Sequence, residues 1–363
     1  MGGIFKKLKH SLKYLAVIVS FFVLALLFWP VPIDPEIYET GPQTAGLPPF
    51  EHNNALAQAR LMPLDGNGPE GIARGADGRL YTGLIDGRII AFDEETGDIE
   101  TLANTGGRPL ALMFDANGDL IICDAIKGLI SLSADGAIRV LVDEFEGQKL
   151  IFVDALDIGS DGRIWFSDAS QRFDIHAGFA DIIESQSTGR IFSYDPRTQQ
   201  TKLEMDGLAF ANGVVLSPDE DYLLVNETYR YRIWRYWLTG AKAGQSEVFV
   251  DNLPGYPDNI TSAPNGHYWV AIPTARDATL DAQSDRPFIR KILYRIDQLG
   301  WLSPSMTHSF AILIDSDGQV KMSLDAKNAA IQMVTNIEEM QNKLYISSLT
   351  SPHIGILPLP KAK

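Results

Sequence analysis

The chain has one cysteine, Cys123, among 363 residues. That excludes an internal disulfide and a thiolate zinc cluster, so stability must come from a packed core. Cys123 lies in the apolar run LIICDA and reads as a small buried strand residue. No Gly-x-Ser-x-Gly stretch occurs, which leaves a serine-hydrolase triad without support. Histidine is scarce, at six residues. His10 precedes an apolar run, His52 lies in a linker-like stretch and His267 in a hairpin turn. His308 and His353 fall at strand edges or loops of the last repeat. His176, in SDASQRFDIHAG, is on a pocket rim. Surface or packing roles suit all six better than catalysis. Positive charge is also short, with 31 Lys and Arg against 46 Asp and Glu. The first 30 residues hold four of the basic residues and none of the acidic ones, so the remainder carries a balance of −19. Nucleic acid is therefore excluded as a natural partner.

One apolar run is long. It extends from Tyr14 to Trp29, interrupted only by Ser20, and Pro30 to Ile33 prolong it toward the length of a bilayer span. Lys6, Lys7, Lys9 and Lys13 precede it, and WPVPIDP stands after it in place of a small-residue cleavage site. The pattern predicts an uncleaved signal anchor with its N-terminus in the cytoplasm. The chain beyond the span is then periplasmic, extracellular or lumenal. Residues 1–33 form the cytoplasmic tip and transmembrane anchor. Residues 34–61, rich in Pro, Gly and Ala, are a linker or a strand that closes a ring.

The remainder, 62–363, is built on a repeat. Glu70 opens EGIARGADGRLY, Asp154 opens DALDIGSDGRIW, Asn212 opens NGVVLSPDEDYLL and Asp258 opens DNITSAPNGHYW. LALMFDANGDLII from Leu110 and TNIEEMQNKLYI from Thr335 complete a set of six. Each copy reads as strand, tight polar turn, strand. Further strands come after in GRIIAFD, KGLISLS, GRIFSYD, YRIWRYWL and KILYRID. Six such units predict an all-β, six-bladed β-propeller behind an N-terminal transmembrane helix. The first residue of each repeat begins an innermost strand, so the six side chains gather at one mouth of the central channel. Three carboxylates and an amide oxygen gathered in this way need a cation, and an all-oxygen set selects a hard one: calcium, or another divalent cation.

The segments GPEGI, GGRPLAL, FANGVVLSPDEDYLLVNET, LPGYPDNI, GHYWVA and SDRPFIRK resemble the strictosidine synthase-like branch of the gluconolactonase and paraoxonase superfamily. The adipocyte plasma-membrane-associated subgroup is nearest in motif order. The resemblance spans about Gly68 to Pro358 and implies a six-bladed propeller. It also implies a channel calcium held by Glu70, Asp154, Asn212 and Asp258, with Asn259 matching a second Asn of paraoxonase-like members. Two departures stand out. A run like FVNDL in the family is FVDAL here, so Asp154 and Ala155 replace Asn and Asp. Three carboxylates then face the ion, which should bind it more tightly or leave one of them protonated without it. The essential Glu of the alkaloid-forming synthases falls on Thr335, with Glu338 and Glu339 further along, which disfavours amine–aldehyde condensation.

Resemblance and site chemistry together imply a membrane-anchored, calcium-dependent hydrolase of lactones or aryl esters. In it Glu70 and Asp258 are ligands, and Asp258 or Asp154 takes a proton from water. The alternatives are a propeller that binds a partner or ligand around a structural calcium, and synthase-like lyase chemistry. The loops Gln171 to Ser187 and Ala275 to Pro287 are expected to select the substrate, the second as a lid over the channel mouth. Nothing in the sequence bears on oligomeric state.

Overall fold

The computed structural model describes residues 2–177, 179–302 and 306–360. Six four-stranded antiparallel sheets succeed one another along the chain. Blade 1 runs from Ala73–Arg74 to Ile99–Asn104, blade 2 from Pro109–Phe114 to Ile138–Val142 and blade 3 from Val153–Ile158 to Gln200–Leu208. Blade 4 runs from Ala211–Leu216 to Ser246–Val250 and blade 5 from Ile260–Ala263 to Val320–Lys327. Blade 6 combines Val334–Met340, Lys343–Ser348 and His353–Pro358 with Arg60–Pro63 as its outermost strand. The first hairpins of blades 1 to 3 turn at Gly78, Gly118 and Gly162, with φ of +85°, +87° and +84°. A residue with a Cβ is strained in that region, which is why the repeat keeps glycine there.

Apolar side chains from neighbouring blades interlock between the sheets. Trp269, Ala271 and Ala311 of blade 5 pack on Ile337, Leu344 and Ile346 of blade 6, all buried. Ring closure is a β pairing between distant parts of the chain, with Arg60 opposite Ile356 and Met62 opposite Ile354.

Two expectations need correction. KILYRID is not the third strand of blade 5. It belongs to a helix, Pro287–Asp297, and the strand is His308–Ile314, so His308 lies in blade 5 rather than the last blade. Phe288, Ile289, Ile292, Leu293 and Ile296 repeat with helical spacing, and Pro287 occupies the first turn, where its missing N–H costs nothing. Nor do residues 30–33 prolong the apolar helix. That helix, α1, covers Gly2–Phe28, and its Phe5–Phe28 stretch is long and apolar enough to cross a membrane. Pro30 and Pro32 supply no backbone donors to continue it. Ile33 is instead buried against Ala180 and Ile183 of the propeller.

Three short helices come later in the chain: α2 (Ala180–Glu184), α3 (Ala278–Asp281) and α4 (Pro287–Asp297). All three sit in insertions between the second and third strands of blades 3 and 5. In an antiparallel blade those connections lie at the end where the innermost strand begins.

The segment leading into ring closure is fastened by one buried carboxylate. Asp325 Oδ2 accepts from His52 Nδ1 and His308 Nε2, both at 2.9 Å. Its Oδ1 accepts the Asn53 and Asn54 amides, both at 2.7 Å. Burial alone would raise this carboxyl, but the Asn53, His308, Asn54 and His52 bonds hold it below its usual value. Its contribution is therefore present above the unfolded-state pKa of about 4 and lost as pH falls through the lower folded value. Asp325→Ala leaves these donors unpaired and should lower unfolding free energy by about 3 kcal/mol. A urea midpoint equal to wild type would show that the knot adds nothing to closure.

Candidate metal centre on the propeller axis

The innermost strands of blades 2, 3, 4 and 6 share a local irregularity. Their pairing with the second strand slips between Pro109 and Leu112, Val153 and Leu156, Ala211 and Val214, and Val334 and Asn336. Such bulges re-aim the side chain they contain. The residues inside them include Leu110, Asp154, Asn212 and Thr335. Glu70 and Asp258 precede their strands, Ala73–Arg74 and Ile260–Ala263, by three and two residues.

Glycine lets the strands crowd at this level. A Cβ on Gly71 would meet Leu110 O at 2.7 Å, and one on Gly213 would meet Ile260 N at 2.5 Å. Each comes directly after a ring residue, Glu70 or Asn212, so any larger side chain would push neighbouring blades apart at the axis.

Hydrogen bonds knit this level together. Asn226 Nδ2 and Gly213 N donate to Asp258 O at 2.6 and 3.0 Å, joining blades 4 and 5. Asn259 Nδ2 donates to Thr335 O at 3.0 Å and to Asp258 Oδ1 at 3.3 Å. Thr335 Oγ1 donates to Glu70 O at 3.2 Å, and Ser347 Oγ also donates to that oxygen. Thr335 is thus a wholly buried structural link, with its hydroxyl committed.

Glu70, Asp154, Asn212, Asp258 and Asn259 are all buried. Burial raises the Glu70 carboxyl, against the pull of the Arg108 guanidinium. Burial and then the Glu70 charge push Asp154 well above its ordinary value. Asp258 is driven up by burial, then by Glu70 and Asp154, with the Asn212 and Asn259 groups acting the other way. The Glu70 charge thus acts on both Asp154 and Asp258, and that of Asp154 on Asp258. Asp154 Oδ1 and Asn212 Oδ1 are buried acceptors without a hydrogen-bond partner. Orphaned oxygens beside mutually repelling carboxylates are what a cation site leaves when drawn without its ion.

Sequence reasoning missed Arg108. It donates to Glu70 Oε2 at 3.0 Å and to Gly68 O at 2.9 Å, and it is buried. Three carboxylates and one guanidinium leave a formal charge of −2, which suits a single divalent ion. The GGRPLAL motif contained this arginine, but nothing in the repeat marked it as pointing to the axis.

The wall above the ring was missed as well. Phe210 adopts φ +67°, a strained conformation for an aromatic residue two positions before Asn212. Glu227 Oε1 holds it there by accepting Ala209 N at 2.8 Å. Phe210 packs on Phe152 at 5.1 Å and on Tyr229 at 4.8 Å. The Tyr229 phenol is pushed well up by burial, then by Asp181, Tyr256, Asp154 and Asp258. Asp181, on α2, is raised to about 7, chiefly by burial, and its Oδ2 has no partner. His176 is exposed, and its backbone N–H is held by Asp174 Oδ1. Below the ring lies a cavity of about 150 Å³, lined in part by Asp157, Asn336 and Glu338. Glu338 is half-buried in the wall of this cavity, and burial raises its carboxyl to about 8. It sits deeper in the channel than the ring. Glu339 accepts from Trp269 Nε1 at 2.8 Å.

Comparison with known proteins identifies the family of the chain. Residues 154–241 match the strictosidine synthase family and residues 48–92 the N-terminal strictosidine synthase-like family. Strictosidine synthase-like 6 of Arabidopsis thaliana is 35% identical over 325 residues, covering 88% of this chain and 86% of that protein. The adipocyte plasma membrane-associated protein of Rattus norvegicus is 34% identical over 360 residues, covering 92% and 95%. Among solved structures, a gluconolactonase from Xanthomonas campestris superposes with a TM-score of 0.61 at 20% identity, covering 91% of this chain and 97% of that one. The calcium-binding protein regucalcin from Agrobacterium tumefaciens superposes with a TM-score of 0.58 at 15% identity, covering 82% and 92%.

Asp154→Asn should keep the fold and weaken calcium binding on the order of 10- to 100-fold, since it removes one unit of charge at the ring. Calorimetric titration of the full chain in detergent measures this. An unchanged affinity would mean that Asp154 does not face the ion.

Proposed function

Because the chain belongs to the strictosidine synthase-like family, we propose that it is a membrane-anchored, calcium-dependent hydrolase of lactones or aryl esters. The observation that carries the proposal is a pair of unpartnered buried oxygens, Asp154 Oδ1 and Asn212 Oδ1, in a ring that also holds the buried Glu70 and Asp258 carboxyls. The fold is shared with proteins named as a gluconolactonase and as calcium-binding regucalcin, which supports this choice of chemistry. Glu70, Asp154, Asn212 and Asp258 would hold the ion, with Asn259 beside them. When bound, the ion would supply Lewis acidity toward a substrate carbonyl and the oxyanion formed from it.

The chain's own residues do the remaining work. Arg108 holds Glu70 in place and keeps one carboxylate charge balanced. Asp258, or Asp154, accepts the proton of the attacking water. The aromatic wall of Phe152, Phe210 and Tyr229 excludes bulk water from the mouth, which strengthens each charge interaction there. Thr335 offers no base for an amine–aldehyde condensation, and its hydroxyl is committed to Glu70 O. Lys6, Lys7, Lys9 and Lys13, in the first turns of α1 and ahead of its apolar run from Tyr14, favour an N-terminus in the cytoplasm and a propeller on the opposite side.

The test is a panel of lactones and aryl esters with the full chain, with and without chelator. Hydrolysis should require calcium, and Asp258→Ala should lower kcat/KM by about a thousandfold without changing the far-ultraviolet dichroism. Chelator-resistant turnover would separate the ion from the chemistry. Inactivity on every compound with calcium bound would favour the binding-module alternative.

A further inference from the structure

The propeller is acidic, but one arm of it is not. Residues 286–301 carry four basic side chains, Arg286, Arg290, Lys291 and Arg295, and one acid, Asp297. Within this arm α4 is two-faced. Its inner side holds Arg290, 1% exposed, which donates to Glu36 O at 2.6 Å, and Tyr294, which packs on the Ile33, Ala180 and Ile183 cluster. Its outer side and C-terminal extension present Phe288, Leu299 and Trp301, exposed by 49%, 45% and 63%.

Beside this outer side lies α1. Arg295 Nε and Nη2 donate to Trp29 O at 2.8 and 2.5 Å. The Phe28 and Phe288 rings lie 6.2 Å apart, and those of Phe22 and Trp301 lie 5.9 Å apart. Phe22 is six residues before Phe28, about 9 Å back along the helix at 1.5 Å per residue. With α1 crossing the bilayer, Trp301 therefore sits at interfacial depth, where tryptophan is favoured. Arg286 and Lys291, on the same arm, pair with Asp285 and Asp34 at 3.5 and 3.1 Å, and these pairs can exchange for anionic headgroups at the interface.

We infer that the Pro287 to Trp301 arm is a second, in-plane membrane contact, so that the channel mouth faces lipid and the site takes amphiphilic esters or lactones bearing a long apolar tail from the bilayer. The position of the lid supports this. The arm packs on α2, which lies at the end of the propeller that carries Glu70, Asp154, Asn212 and Asp258, and Tyr231, beside the aromatic wall, donates to Asp281 of α3 at 2.9 Å. The substrate class rests on the hydrolase proposal, whereas the membrane contact does not.

Two measurements on the full chain in nanodiscs of mixed anionic and zwitterionic lipid separate these parts. Cys123 is fully buried, so Trp301→Cys and Phe288→Cys each give one accessible thiol for an environment-sensitive dye. Dye at either position should shift to the blue and be quenched by lipids brominated on the acyl chain. Dye at Asn117→Cys, in a turn at the opposite end of the propeller, should do neither. Equal water exposure at all three positions would overturn the inference. In the second measurement, aryl esters of short and long acyl chains are compared. Phe288→Glu should lower turnover of the long-chain ester at least tenfold while sparing the short one. Quenching without this chain-length effect would overturn the substrate class. Quenching in a protein inactive on every ester would support the membrane contact and count against the hydrolase proposal.

Discussion

The structure depends on the cost of gathering three carboxylates where water cannot reach them. Glu70, Asp154 and Asp258 are buried where the inner strands begin; burial raises all three carboxyls, and the Glu70 charge adds to the rise of Asp154 and Asp258. Arg108 offsets one charge. The other two, together with unpartnered oxygens on Asp154 and Asn212, are the features on which the proposed cation site rests. A sequence with only structural demands on this ring would fill it with apolar residues, as Leu110 does in blade 2.

The rest of the propeller serves that ring. Four inner strands slip register at the level of the site, and glycine after Glu70 and Asn212 removes the atoms that would keep the strands apart. Glu227 holds the Ala209–Phe210 corner in a conformation that an aromatic residue would otherwise leave. Local strain is maintained by a buried hydrogen bond, and the result is an aromatic wall over the ring. Closure of blade 6 by Arg60–Pro63 ties the chain's start to its end, which limits how far the six inner strands can separate.

Much of this was legible in the sequence, for identifiable reasons. The first residue of each repeat stands out because the blades share a period, and glycine in the hairpin turns marks their ends. That period is what singles out Glu70, Asp154, Asn212 and Asp258 as a candidate ligand set. Arg108 was not legible, because it lies before its repeat begins and only the fold turns it inward. Tyr229 and Asp181 come from connections between strands, Asp181 on α2, whose course no periodicity records. The α4 segment was misread because Lys291 to Asp297 alternates well enough to resemble a strand. The wider window, with Phe288 and Ile289 one turn earlier and Pro287 at the start, carries the helical spacing. Residues 30–33 look like more membrane span because they are apolar, but Pro30 and Pro32 end the helix, and Val31 and Ile33 pack on Ala180 and Ile183 of the propeller instead.

The central claim is that the axis holds one divalent cation. Anomalous scattering from a crystal of the protein grown with calcium tests it most directly. The account predicts one peak on the axis, with oxygens of Glu70, Asp154, Asn212 and Asp258 at roughly 2.3–2.6 Å. An axis without a peak, with the Arg108 guanidinium occupying the centre of the ring, would contradict it.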